Sequence, residues 1–254
     1  YIPKFLAQVL AVTALITAGY NIETVSSPFG GVIHLGPFGP LCILIWMLVI
    51  MNAINLIDGL DGLATGVTVI ACLGFLSIVV FKSNSFALLL TCLTIGVALG
   101  FLKFNFYPAR LFLGDSGSLF LGFLLGLLGL ENAVKRSAVV ALIVPLITLF
   151  MPIASIIFTF SRRFFEGANP FHPDRWHLHY RFMHAGVSHR DTVLIYYYVT
   201  FIYAALGIFC SFLPKRYELL MIIFAVVSML GLYRWAIYFI GLRKKTRRIL
   251  PKAN

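Results

Sequence analysis

Apolar residues in this chain come in blocks of roughly twenty, and polar residues collect in the gaps between them. The blocks predict membrane spans at 4–20, 39–54, 63–81, 86–102, 117–130, 137–160, 193–213 and 218–241. About 20 helical residues cross a bilayer core, and lipid excludes an open sheet because backbone groups there must be satisfied within the element. The expected fold is an all-α polytopic membrane protein of about eight transmembrane helices, forming a single integral membrane domain over 1–254. The fifth block is short and glycine-rich, and the sixth carries Pro145 and Pro152. The first matches a signal peptide in length, but it shows no small-residue cleavage site and more spans follow, so it reads as a true span. One gap differs from the rest. In Asn21–Pro37, β-prone Ile22, Thr24, Val25, Val32 and Ile33 flank Ser26-Ser27-Pro28-Phe29-Gly30-Gly31, which predicts a small outward-facing hairpin.

Composition agrees with the pattern: 60% of the 254 residues are hydrophobic, against roughly 45–50% in soluble domains. Charge adds an orientation. With both ends inside, the inner segments hold fourteen lysines and arginines and the outer ones five, so the positive-inside rule places both chain ends in the cytoplasm. The net charge of +11 then reflects topology and attraction of the Arg243–Arg248 cluster to anionic headgroups. No soluble domain is present to carry nucleic-acid binding. The four cysteines sit singly in apolar runs and read as small buried hydrophobes.

Two polar islands break the pattern at cytoplasmic span ends, and they hold three of only nine acidic residues. In the first, Asn52, Asn55, Asp58 and Asp61 recur every third position. A regular helix would splay these groups across half its surface, so an end unwinding at Gly59 and Gly62 is needed to gather them. N-capping of the next span by Asp61 is the plainer alternative. The second island, Phe112-Leu-Gly114-Asp115-Ser-Gly117-Ser118, follows Asn105-Phe106-Tyr107-Pro108-Ala109-Arg110. A helix N-terminus attracts phosphate and Asp115 repels it. A divalent cation held by one or two carboxylates and substrate phosphates reconciles the two, although Asp115 as a simple cap is again an alternative.

A third polar segment lies in the loop 161–192. Five of six histidines fall within eighteen residues there, at His172, His177, His179, His184 and His189. With Arg175, Arg181 and Arg190 nearby, an anion clamp is expected rather than a zinc site, which would favour cysteines. The alternative is a merely solvated basic loop. Carboxylates for a metal, a basic clamp and an aromatic such as Phe112 on one membrane face suit phosphoryl transfer, where catalysis is mostly positioning and charge neutralisation.

These motifs resemble the bacterial polyprenyl-phosphate N-acetylhexosamine-1-phosphate transferases. The likeness runs from Lys4-Phe5-x-x-Gln8 through Asn52-x-x-Asn55-x-x-Asp58-Gly-x-Asp61-Gly and Phe112-x-Gly114-Asp115-Ser-Gly117-Ser118 to Pro173-Asp174-x-x-His177-x-His179. The last element points to the branch using UDP-N-acetylglucosamine-type donors and away from the muramoyl-pentapeptide branch. The resemblance implies transfer of sugar-1-phosphate from a UDP-N-acetylhexosamine to undecaprenyl phosphate with release of UMP, supported by Mg²⁺ (or Mn²⁺), at the bacterial inner membrane. It implies Asp115 as metal ligand, with Asp58 supporting the metal and phosphate site. It further implies Asn55, Asp61 and Asn105 at the uridine, Phe112 near the uracil, and His177 and His179, with Asp174 and Arg175, at the pyrophosphate and sugar. A homodimer is among the expected partners, and the downstream glycan is left open.

There are two departures from the family pattern. Tyr180 stands where its histidine motif usually ends in a further histidine. An aspartate-rich motif and three spans usually precede the segment that begins here with Pro3-Lys4-Phe5, so missing upstream sequence is expected, and inactivity of this chain alone. Against the resemblance stand a secondary transporter, a CDP-alcohol phosphotransferase and a non-catalytic family remnant. The acids lie at span ends rather than mid-membrane, which argues against the transporter, and no Asp-Gly-x-x-Ala-Arg signature follows Asp58.

Overall fold

The computed structural model describes residues 2–26, 31–81, 84–134 and 177–212 continuously, with short pieces between 149 and 167 and between 217 and 239. The elements are α1 (Ile2–Thr17), β1 (Thr24–Ser26), β2 (Val32–His34), a single 3-10 turn (Gly36–Phe38), α2 (Gly39–Ile57), α3 (Leu63–Val80), α4 (Ser85–Asn105), α5 (Gly114–Val134), α6 (Leu178–His184) and α7 (His189–Phe212). Five of these helices are long and apolar enough to cross a membrane, and α1 is a shorter apolar helix. The chain is an all-α polytopic membrane protein. The spans expected at 137–160 and 218–241 lie largely outside the described residues, as do Asp174 and Arg175.

Several helices run past the apolar blocks that predicted them, and the reasons lie in their polar residues. α2 continues through Asn52 and Asn55 to Ile57 because both amides find partners. Asn52 Nδ2 donates to Leu48 O at 2.8 Å and exchanges hydrogen bonds with the Gln8 amide. α5 starts at Gly114 rather than 117, with Ser118 Oγ donating back to Gly114 O at 3.0 Å. α7 starts at His189 rather than 193, where Ser188 Oγ accepts from Asp191 N–H at 3.0 Å as a side-chain cap. Between α1 and α2, β1 and β2 pair antiparallel with Val25 opposite Ile33.

α3 is the central helix, packed on α4, α5 and α7, while α2 packs on α5 and α1. The core between them is aliphatic, built on Ile43, Met47, Ile50, Ile54, Leu63, Val67, Leu125 and Leu128. Glycine sets the closest approach. A Cβ at Gly122 would lie 2.6 Å from Met51 Cα, and one at Gly126 would lie 2.7 Å from Met47 Sδ. The fifth span is therefore glycine-rich because its backbone lies against α2. Buried threonines within the spans return their hydroxyls to the preceding turn, as Thr68 does to Ala64 O and Thr200 to Tyr196 O, so these donors are not left unpaired in hydrocarbon.

Candidate functional site

The N-termini of α1, α3 and α5 and the C-termini of α2 and α4 meet at one end of the bundle, and they carry the polar islands with them. Asn55, still on regular helix, donates through Nδ2 to Asp115 Oδ1 at 3.0 Å and to Ser118 Oγ at 2.8 Å. Lys4, in the first turn of α1, reaches the same Asp115 oxygen at 2.6 Å and Asn55 Oδ1 at 3.3 Å. Asp115 Oδ2 has no protein partner among the described residues, and the side chain is 65% exposed.

Unwinding begins at Asp58, which follows the last turn of α2 with φ −74° and ψ 42°. Gly62, at φ +76°, turns the chain into α3, a conformation that costs glycine little. The turn between them is gripped from several sides. Tyr180 Oη donates to Gly59 O at 3.2 Å and Tyr197 Oη to Gly62 O at 2.6 Å. Gly62 N–H donates to Asn105 Oδ1 at 3.2 Å. Asp58 faces Asp115 across the mouth of the site. Burial, and then the charge of Asp115, push its carboxyl up to about 7.

The four polar groups of the first island do not converge on one point. Asp61 turns away, its Oδ2 accepting from Ala109 N–H at 3.0 Å, and it does not cap α3, whose N-cap is Gly62 without a side-chain bond. Asn105 is buried, with its oxygen also accepting from Thr65 and its nitrogen donating to Leu111 O. Phe112 stands 77% exposed beside the N-terminus of α5. His177 stacks on His179 at 5.7 Å between ring centroids. His179 is fully buried, and a Cβ at Gly59 would land on its Nε2. Burial first, then the neighbouring His177 and His179–His189 repulsion, push its imidazole down to about 3. It is therefore neutral at ordinary pH, and its chemistry is that of a hydrogen-bond donor or acceptor rather than a cation. Neither ring nitrogen has a partner among the described residues.

Among the described residues no cluster of three or more metal-ligating side chains occurs. Burial first, and then the charge of Asp115, disfavour the ionised Asp58, and a divalent cation between the two carboxylates would relieve that penalty. Hard oxygen donors in that number fit Mg²⁺, which completes its shell with water and substrate phosphate. Beside them an apolar groove of about 450 Å³ runs between α1 and α5, lined by Lys4, Gln8, Asp115, Leu119 and Phe123. Lys4 and Gln8 were not singled out by their chemistry in the sequence. A lysine opening an apolar helix reads as topology, and only the fold brings it to a carboxylate 111 residues away.

The sequence model of glycosyl transferase family 4 matches residues 1–133, which contain both islands and the first five helices up to Ala133. The chain belongs to this family. As a family 4 member it is 37% identical over 203 residues to a probable undecaprenyl-phosphate N-acetylglucosaminyl 1-phosphate transferase of Bacillus subtilis, covering 79% of the chain and 56% of that relative. It is 33% identical over 216 residues to a decaprenyl-phosphate N-acetylglucosaminephosphotransferase of Mycobacterium tuberculosis, covering 76% and 54%. Over a shorter stretch of 125 residues it is 42% identical to a phospho-N-acetylmuramoyl-pentapeptide-transferase of Listeria monocytogenes, covering 47% and 38%. The chain spans about half the length of the first two relatives.

Proposed function

We propose that the protein transfers N-acetylhexosamine-1-phosphate, as N-acetylglucosamine-1-phosphate, from its UDP derivative to undecaprenyl phosphate and releases UMP. The observation that carries this reading is the junction of the Asp58–Asp115 pair with an apolar groove at one end of a membrane bundle. A water-soluble, charged donor suits the carboxylate side through a metal, and a prenyl chain suits the groove. The family 4 relatives named for N-acetylglucosamine transfer match three quarters or more of the chain.

In this reading an oxygen of the acceptor phosphate attacks the sugar-linked phosphorus of the donor. A new phosphorus–oxygen bond forms as the bond to the uridine-side phosphate breaks, and UMP leaves with the electron pair. Bound Mg²⁺ (or Mn²⁺) supplies neutralisation of the phosphate charge. Asp115 and Asp58 would hold it, and Asn55 fixes the Asp115 carboxylate. Lys4 places a cation at the groove mouth, where the acceptor phosphate arrives. Phe112 offers an exposed ring for the uracil, and His177, with Arg175 and Asp174, would orient the pyrophosphate and sugar. Asp61 and Asn105 brace the turn at which the uridine would sit, Asp61 through Oδ2 and Asn105 through both ends of its amide. The excess of lysine and arginine on the inner segments supports a cytoplasmic site in a bacterial inner membrane.

The test is an assay of the full-length protein with UDP-N-acetylglucosamine, undecaprenyl phosphate and Mg²⁺, following UMP and the sugar-pyrophosphate lipid. Product that depends on metal and falls at least 100-fold in Asp115→Asn is expected. Robust turnover by that variant would sink the ligand assignment, and no product from any UDP-sugar would sink the reaction.

A further inference from the structure

Two polar links, one from the first turn of α1 and one from Tyr20 just past its C-terminus, reach α5, and the apolar groove lies along the interval between them. Lys4–Asp115 forms the first. At the opposite end Tyr20 Oη donates to Glu131 Oε1 at 2.5 Å. Tyr20 and Glu131 stand 111 residues apart, the same offset as Lys4 and Asp115, so α1, with the turn that follows it, runs parallel to α5. The links are roughly 24 Å apart along the axis at 1.5 Å per residue. Elsewhere α1 packs on α2, and α5 packs on α2, α3 and α4. The other oxygen of Glu131 accepts from Asn84 Nδ2 at 2.9 Å. Asn84 is buried, and its own oxygen caps α4 by accepting from Ala87 N–H at 3.3 Å.

We propose that Glu131 is a positioning residue for the lipid acceptor: through Tyr20 it sets the separation of α1 from α5 and so the width of the groove. The proposal rests on the reading of that groove as the seat of the prenyl chain. On the α1 side Ala7 and Ala11 line the groove together with Lys4 and Gln8, opposite Leu119 and Phe123 on α5. The two alanines have no rotamers with which to adapt, so along their stretch of α1 the helix separation sets the width of the groove. A carboxylate at a membrane edge is costly unless hydrogen-bonded, and this one is satisfied by groups from two other elements. The donor-side features, the Asp58–Gly62 turn and Phe112, are not mounted on α1. Loosening the far link is therefore expected to disturb the acceptor and spare the donor.

The experiment uses the full-length protein in lipid nanodiscs and measures kcat and both KM values for Tyr20→Phe, Glu131→Ala and Glu131→Gln. Tyr20→Phe and Glu131→Ala are expected to raise KM for undecaprenyl phosphate about five-fold, the scale of one lost hydrogen bond. KM for the UDP-sugar should stay within about two-fold. Glu131→Gln keeps an oxygen for Tyr20 and should restore the acceptor KM. An unchanged acceptor KM in Tyr20→Phe, or equal losses toward both substrates, overturns the proposal. A photoreactive prenyl phosphate on the wild-type protein tests the underlying reading separately. Cross-links to peptides spanning 4–11 or 115–123 support the groove, and their absence overturns it whatever the kinetics. Cross-links with unaltered kinetics in the variants overturn only the role of Glu131.

Discussion

Asp58 is where two penalties coincide, partial burial and a like charge across the site mouth. Its carboxyl, raised from 3.8 to about 7, is held protonated by the fold at pH values where an unfolded chain has released the proton. The resulting stability is fully present below about 4 and is lost as pH rises through about 7. A bound cation needs the ionised form and reverses the trend. In chelator, the melting temperature is expected to fall between pH 5 and 7.5. Added Mg²⁺ should remove that fall, and Asp58→Asn should flatten both curves. A chelator profile independent of pH would show that neither burial nor Asp115 raises the Asp58 carboxyl. Gly59 allows a second test, since any Cβ there strikes the buried His179 ring. Gly59→Ala is expected to lower activity at least ten-fold with the folded yield retained, as judged by size-exclusion profile, because the turn carrying Asp58 must shift.

Among the elements, α5 combines packing with chemistry. Its glycines admit the α2 backbone, and its first turn carries Asp115. Gly122 faces main chain, whereas Gly126 faces the flexible thioether of Met47. Gly122→Ala is therefore expected to cost about 1–3 kcal/mol and Gly126→Ala distinctly less, read from thermal unfolding in one detergent. Equal costs would mean that α5 slides rather than clashes. This helix also shows what a sequence hides. The span expected at 117–130 looks short and glycine-rich, yet its Gly122 and Gly126 mark the line of closest contact with α2. The same holds at α2, where Asn52 and Asn55 look like the end of a helix. They belong to its regular part because Gln8, Ser118 and Asp115, all distant in sequence, meet their amides. Continuous apolar runs located the described spans, since burial in lipid acts through composition. Their ends were misplaced by three or four residues where polar side chains found partners, distant ones for Asn52 and Asn55 and a local one at Ser188.

For the whole molecule, the islands were legible as chemistry because acids at span ends are rare, and their meeting at one bundle end followed from topology. The division of labour within the first island was not legible. Asn55 and Asp58 turn toward Asp115 while Asp61 binds Ala109, a choice made by the Gly62 turn and by tyrosines from α6 and α7. Orientation in the membrane is testable at this scale. In a cysteine-free background, Phe112→Cys is expected to react with an impermeant thiol reagent from the cytoplasmic side only, and Ile33→Cys from the opposite side only. Both are exposed, and the reverse pattern would invert the topology.

The groove beside Asp115 has an open flank, with Phe120 on its rim 58% exposed. A lipid that enters by that flank diffuses in two dimensions, so its effective concentration is a number per area of membrane rather than per volume of solution. At fixed bulk amounts of protein and acceptor, diluting both into more inert phospholipid should then slow turnover, and supplying more UDP-sugar should not restore it.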